Sequence, residues 1–163
     1  MRIGAVDVGY PDEGGAVAAL VVSEDPAFAV ITDERVVRLA DVAPYRPGAF
    51  FERELPCLRA VLDGIALDLL IVDGYVQLDP DGRPGLGIHA AEAFGIAVVG
   101  VAKTAFRSAT HALPVLRGES ARPLLVTATG IPVDAAADLV RRMAGEHRIP
   151  DALRRVDHLS RSR

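Results

Sequence analysis

Three carboxylates and one lysine carry the chemical information in this 163-residue chain: Asp7 in GAVDVGY, Glu54 in PYRPGAFFERE, Asp73 in LLIVDGY and Lys103 in VGVAK. Asp7 and Asp73 stand at the ends of apolar stretches that read as strands, and Glu54 falls on the apolar face of a helix. Three acids brought together from distant parts of a chain are costly unless a cation lies among them. A divalent ion such as Mg²⁺, with Mn²⁺ as its substitute, takes carboxylate oxygens and keeps open positions for water and phosphate. Asp7, Glu54 and Asp73 are therefore expected as metal ligands, and the chemistry they suit is phosphodiester cleavage.

The elements that must position these groups follow from periodicity and turn residues. Residues 2–8, 15–22 and 27–38 read as a three-strand meander, with PDEGG and SEDPA supplying the turns. A helix is expected over 49–63, where Phe50, Leu58 and Val61 recur at helical spacing and Phe51, Leu55 and Leu62 widen the stripe. A short apolar strand, 69–72, ends in Asp73-Gly74, and residues 75–87, rich in Asp, Pro and Gly, read as a loop. A helix over 88–95 then leads to a strand over 96–101, an order that suggests a parallel βαβ unit. Residues 104–121 are irregular and read as a flap, and 123–128 as a strand. A helix with Pro132 near its first position follows, its stripe marked by Val133, Ala137, Val140 and Ala144 and its stop by Gly145. From Arg148 the tail is polar and arginine-rich, with room for one more short helix before a frayed end. A meander followed by alternating helices and strands resembles the RNase H-like architecture, an α/β fold with a mixed central β-sheet flanked by helices.

Bulk composition narrows the class. With half its residues hydrophobic, the chain suits one compact domain spanning 1–163. A single cysteine, Cys57, excludes an internal disulfide framework and fits a reducing cytoplasm, and it reads as a core residue. Neither a signal peptide nor a membrane span is expected. The net charge of −4 implies a small, local grip on any nucleic acid, since a backbone-binding protein usually shows a basic footprint. Of the 18 basic residues only Lys103 is lysine, a compact point charge in a chain that otherwise uses arginine.

These motifs together resemble the endonuclease V family, nucleases acting at deaminated purines, chiefly inosine, and the likeness runs over nearly the whole chain. DVGY at 7–10 is similar to the family's first strand motif, and VDGY at 72–75 to its Val-Asp-Gly-His, with Tyr75 in place of histidine. PYRPGAFFERE resembles the family's Tyr-x-Pro-Gly wedge followed by Arg-Glu, and VGVAK its Gly-Val-Ala-Lys. The resemblance implies Asp7, Glu54 and Asp73 as metal ligands, Lys103 as the lysine that steadies the phosphate, and nucleic-acid contacts from Tyr45, Pro47, Gly48 and Gly74. It implies a nucleic-acid partner, DNA or RNA carrying a deaminated base, and a monomeric state is expected.

The chain also departs from the family pattern. Where the family carries Gly-His-Arg before a late helix, TATGIP offers Thr129 or Gly130, with Asp134 as a candidate replacement ligand. Asp79-Pro80 stands where His-Pro-Arg is usual, and the stretch between Lys103 and Arg122 is short. His89 reads as a packed helix residue and His111 as surface decoration. A catalytically impaired nucleic-acid or nucleotide-binding protein on the same scaffold is the alternative reading. A metal-dependent hydrolase with another substrate is a third.

Overall fold

A computed structural model describes residues 1–44, 46–47 and 51–161. The meander forms as β1 (Ile3–Gly9), β2 (Ala16–Ser23) and β3 (Asp33–Leu39), antiparallel throughout. The third strand starts six residues later than its composition suggested. Asp25 explains the delay: its carboxylate accepts from the amides of Ala27 and Ala29, turning the chain locally. Phe28 then takes a left-handed φ of 55° and its ring drops into the core.

Helix α1 (Phe51–Leu62) leads to β4 (Leu69–Asp73), α2 (Leu86–Phe94) and β5 (Ala97–Ala102), and the predicted parallel βαβ unit is present, β4 pairing with β1 on one side and β5 on the other. Within the stretch read as a flap lies a short strand, β6 (Leu113–Val115), hidden in the sequence by Pro114. It lies at the sheet edge beyond β7 (Leu124–Thr129), where a residue without an N–H is tolerated. Helices α3 (Val133–Arg142) and α4 (Asp151–Arg161) complete the described chain. The seven strands run in the order β3-β2-β1-β4-β5-β7-β6. Among the described residues no helix is long and apolar enough to cross a membrane.

Alternation along the central strands decides which face each side chain meets. Val6, Leu20, Leu70 and Val72 pack with Leu58 and Val61 of α1 on one face. Ile3, Ala5, Leu69 and Ile71 pack with Val140 of α3 and Val156 of α4 on the other. Two residues beyond Ala5 and Ile71, which are register partners, come Asp7 and Asp73. Both acids therefore point to the α4 face, at the end of the sheet where β1 and β4 run out. Close approach there depends on Gly9, where an added Cβ would collide with the Ser160 carbonyl of α4.

Candidate active site

Asp7, Asp73, Glu54 and Lys103 come together at the carboxyl ends of β1, β4 and β5. Lys103 follows the last residue of β5, and its Nζ lies 3.7 Å from Asp73 Oδ2. Both side chains of that pair are substantially exposed, so the bridge is weak and Lys103 can exchange Asp73 for another anion. Glu54 reaches the same place from α1, one turn above the buried Leu58.

The protonation of this cluster reflects its burial and, after that, its neighbouring charges. Burial, aggravated by the charges of Asp7 and Asp73, pushes the Glu54 carboxyl up from 4.5 to about 8, against a partial offset from Arg53. Burial likewise raises Asp7 to about 6; a hydrogen bond from Ser160 opposes the rise, Asp73 and Asp157 add to it, and Lys103 works against it. The cluster thus includes Asp157, an acid on α4 two turns beyond its start. Among the described residues no three His, Cys, Asp or Glu side chains are gathered closely enough to hold a metal as they stand. The raised proton affinities express burial first and like charge second.

Helix α4 supplies partners that the sequence reading did not assign. Ser160 Oγ, itself buried, lies 2.8 Å from Asp7 Oδ2 and donates to it. A hollow of about 20 Å³ lies among Asp7, Asp73, Lys103 and Asp157, enough for one water-sized occupant. The available signal was HRIPDALRRVDHLSR, whose small and apolar residues Ala152, Val156 and Ser160 recur every four positions and form the buried stripe of α4.

The position assigned to the absent histidine is corrected by the same geometry. Thr129 pairs with Val98 at the start of β5, whereas Leu125 pairs with Ala102 near Lys103. Four residues of strand rise place Thr129 roughly 13 Å from Ala102. Gly130 packs on Ala97 at that remote end, and Asp134 lies just beyond in the first turn of α3. None of the three can reach the carboxylates; the late-sequence contribution comes from α4.

Beside Asp73 opens a pocket of about 640 Å³ whose mostly apolar lining includes the rings of Phe51, Tyr75, His89 and Phe106. Phe51 and His89 stack at 3.7 Å on one wall, and Tyr75 meets Phe106 at 5.9 Å on another. His89 is thus a packed helix residue as expected and also a wall of the pocket. Gly74 lies at the pocket floor with φ of 116°, a conformation that favours glycine, and its amide donates to the Val101 carbonyl at 3.0 Å. Tyr75, where the family pattern has histidine, ties the flap down: its hydroxyl donates to the Thr104 carbonyl at 2.8 Å and accepts from the Phe106 amide at 3.0 Å. Ser108 adds a hydrogen bond to the Leu78 carbonyl. The segment after Lys103 is therefore anchored to the loop after Asp73.

The remaining assigned residues lie before α1. Pro47 is an exposed turn residue, and Arg46 pairs with Glu52 at 3.5 Å. Tyr45 and Gly48 lie outside the described residues. His111 is half-buried, and neither ring nitrogen has a partner among the described residues, so surface decoration was the wrong description.

A mixed sheet that opens on an antiparallel meander, with carboxylates converging at the ends of its first and fourth strands, defines an RNase H-like α/β protein. Comparison with known proteins sharpens the class. The endonuclease V family model matches residues 1–130, and the chain belongs to the endonuclease V family. Endonuclease V of Streptomyces avermitilis is 32% identical over 183 residues, covering 98% of this chain and 79% of that protein. A crystal structure from that organism superposes with a TM-score of 0.82 at 30% identity, covering 99% of this chain and 80% of the other. Human ENDOV gives 0.76 at 27% identity, covering 98% and 82% of the two chains. Ciona intestinalis endonuclease V, solved with a 24mer DNA containing an inosine followed by a ribo-adenosine, shares the fold with a TM-score of 0.77 at 19% identity, covering 98% and 84%.

Proposed function

We propose that this chain is a metal-dependent nuclease of the endonuclease V type, hydrolysing a phosphodiester near a deaminated base such as inosine in DNA or RNA. The observation that carries the reading is the carboxylate cluster itself. Burial, with neighbouring acids adding to it, raises Glu54 to about 8 and Asp7 to about 6. A structural core would discard such a cluster, whereas a divalent cation turns the same repulsion into binding energy. Donors that are all carboxylate oxygens fit one Mg²⁺ or Mn²⁺ ion, around which side chains that now stand apart would draw in. Asp7, Glu54 and Asp73 would hold it, with Asp157 as a fourth acid. Bound there, the ion would supply Lewis acidity toward phosphate and water.

The chain's own groups do the rest. Lys103 leaves its weak pair with Asp73 and meets the phosphate, offsetting charge as the bond breaks. The aromatic pocket next to Asp73 accepts a planar base by stacking, its volume within the usual range for small-ligand sites. Tyr45, Pro47 and Gly48 act before α1 as the wedge that takes over stacking when a base leaves a duplex. A catalytically impaired binder on this scaffold is the second reading, favoured by the net charge of −4.

One assay decides between them. End-labelled single strands of DNA and RNA carrying one inosine are incubated with Mg²⁺, Mn²⁺ or EDTA, beside the Asp73→Asn variant. Metal-dependent cutting by the native chain and none by the variant is expected. Intact strands throughout, with the protein folded and the metal bound, would leave the binder reading.

A further inference from the structure

Three hollows run in series across the strand ends. Asp73 borders both the aromatic pocket and the small hollow among the carboxylates. Lys103 and Asp157 border both that hollow and a third cleft, of about 670 Å³, along α4. The third cleft differs in character from the first: Lys103 and three arginines outnumber the aspartates Asp151 and Asp157 in its lining, and no Phe, Tyr or Trp contributes.

Two of its arginines have no carboxylate within 4 Å among the described residues. Arg148 is fixed by backbone carbonyls, its Nε donating to Arg122 at 2.9 Å and its Nη2 to Pro123 at 3.0 Å and Lys103 at 2.5 Å. Its orientation is set while its charge stays uncancelled. Arg154, one turn into α4, projects into solvent. Arg155, by contrast, is neutralised by a bidentate pair with Glu34 at 2.7 and 2.8 Å. In a chain of net charge −4, a cleft that ends at Lys103 and carries two uncancelled guanidiniums is a local exception to the overall field.

We propose that the α4 cleft is a track for the sugar–phosphate backbone of the nucleic-acid strand that enters the carboxylate site, gripped by Arg148 and Arg154. The inference rests on the nuclease reading above and adds the path of the strand: base in the aromatic pocket, reacting phosphate beside Lys103, continuing backbone along α4. Guanidinium forks suit phosphate oxygens, and a lining with the single imidazole of His158 in place of the first pocket's four rings makes this a backbone site and not a second base site.

The test is the salt dependence of binding. A fluorescein-labelled single-stranded DNA 20mer with one inosine is titrated by anisotropy against the native chain, Arg154→Ala and Arg154→Glu, with Ca²⁺ in place of Mg²⁺ and strand integrity checked on a gel. Arg2→Ala, at the opposite end of β1, serves as the charge-matched control. Loss of one phosphate contact should lower the slope of log Kd against log salt by about 0.7, so that Arg154→Ala loses roughly 2.6-fold less affinity than the native chain between about 50 and 200 mM salt. Arg154→Glu should bind more weakly than Arg154→Ala, and Arg2→Ala should match the native chain. Native binding with the same slope and affinity in both Arg154 variants would overturn the track and leave the nuclease reading standing. No binding by the native chain would overturn both.

Discussion

Glu54→Gln is expected to stabilise the metal-free protein above neutral pH while weakening its response to metal. The folded chain holds the Glu54 proton up to about pH 8, whereas the unfolded chain releases it near 4.5. Between those values the folded state binds more protons, so stability falls as the pH rises through the window and levels off above it. The full displacement corresponds to at most about 5 kcal/mol, and relaxation and water penetration around the carboxyl reduce that to roughly 2–3 kcal/mol. For a chain of this size, that is roughly 4–12 °C in Tm. Glutamine keeps the shape and never ionises, so the gain should be fully present near pH 9 in EDTA and vanish near pH 4.5. Opposite-signed contributions do not blur the window. Glu34, lowered by its hydrogen bond with Arg155, loses its contribution only as the pH falls below the ordinary carboxylate range. Differential scanning calorimetry of both proteins across that range, with EDTA and then with Mn²⁺, reads out the prediction. Metal should raise the native Tm and move the variant much less. A variant no more stable than the native chain at about pH 9 in EDTA would refute the crowded-carboxylate account of the site.

Ser160→Ala removes the hydrogen bond that holds Asp7 down, so Asp7 should protonate more readily and the acid limb of the pH–rate profile should move to higher pH. Tyr75→Phe keeps the ring and loses both hydroxyl contacts to the flap; cleavage by trypsin after Arg107 should accelerate, and turnover should fall about tenfold as Lys103 loses its fixed position. Gly9→Ala drives a methyl into the Ser160 carbonyl and should cost roughly 1–3 kcal/mol in a urea titration as α4 is pushed from β1. Thr129→His should leave cleavage of an inosine strand unchanged, because the residue lies at the far end of β5; a clear rate increase would contradict the register described here.

Much of this site was readable because its residues interrupt strong local patterns. Asp7 and Asp73 stand out at the ends of apolar strands, Glu54 lies within a helical stripe, and Lys103 is the lone lysine. Parallel pairing of β4 with β5 follows from the strand–helix–strand order alone. What escaped the sequence depends on tertiary register. Thr129 looked equivalent to a catalytic position because it precedes a helix, but antiparallel pairing of β7 with β5 carries it away from the site. Ser160 and Asp157 lie in a polar, arginine-rich segment whose composition resembles a solvated tail, where a sparse stripe of Ala152, Val156 and Ser160 is the one sign of an inward face. The delayed start of β3 had a similar cause, since one Asp25 side chain outweighed the β propensity of its neighbours.

The hydrogen bond between Ser160 and Asp7 spans 153 residues of chain. Burial and this one hydroxyl act on Asp7 in opposite directions, so the state of the first carboxylate depends on a helix far along the chain. Any shift of α4 away from β1 is therefore felt at Asp7 as a change in its proton affinity, and the Gly9 contact that seats the helix doubles as a setting of the site's charge.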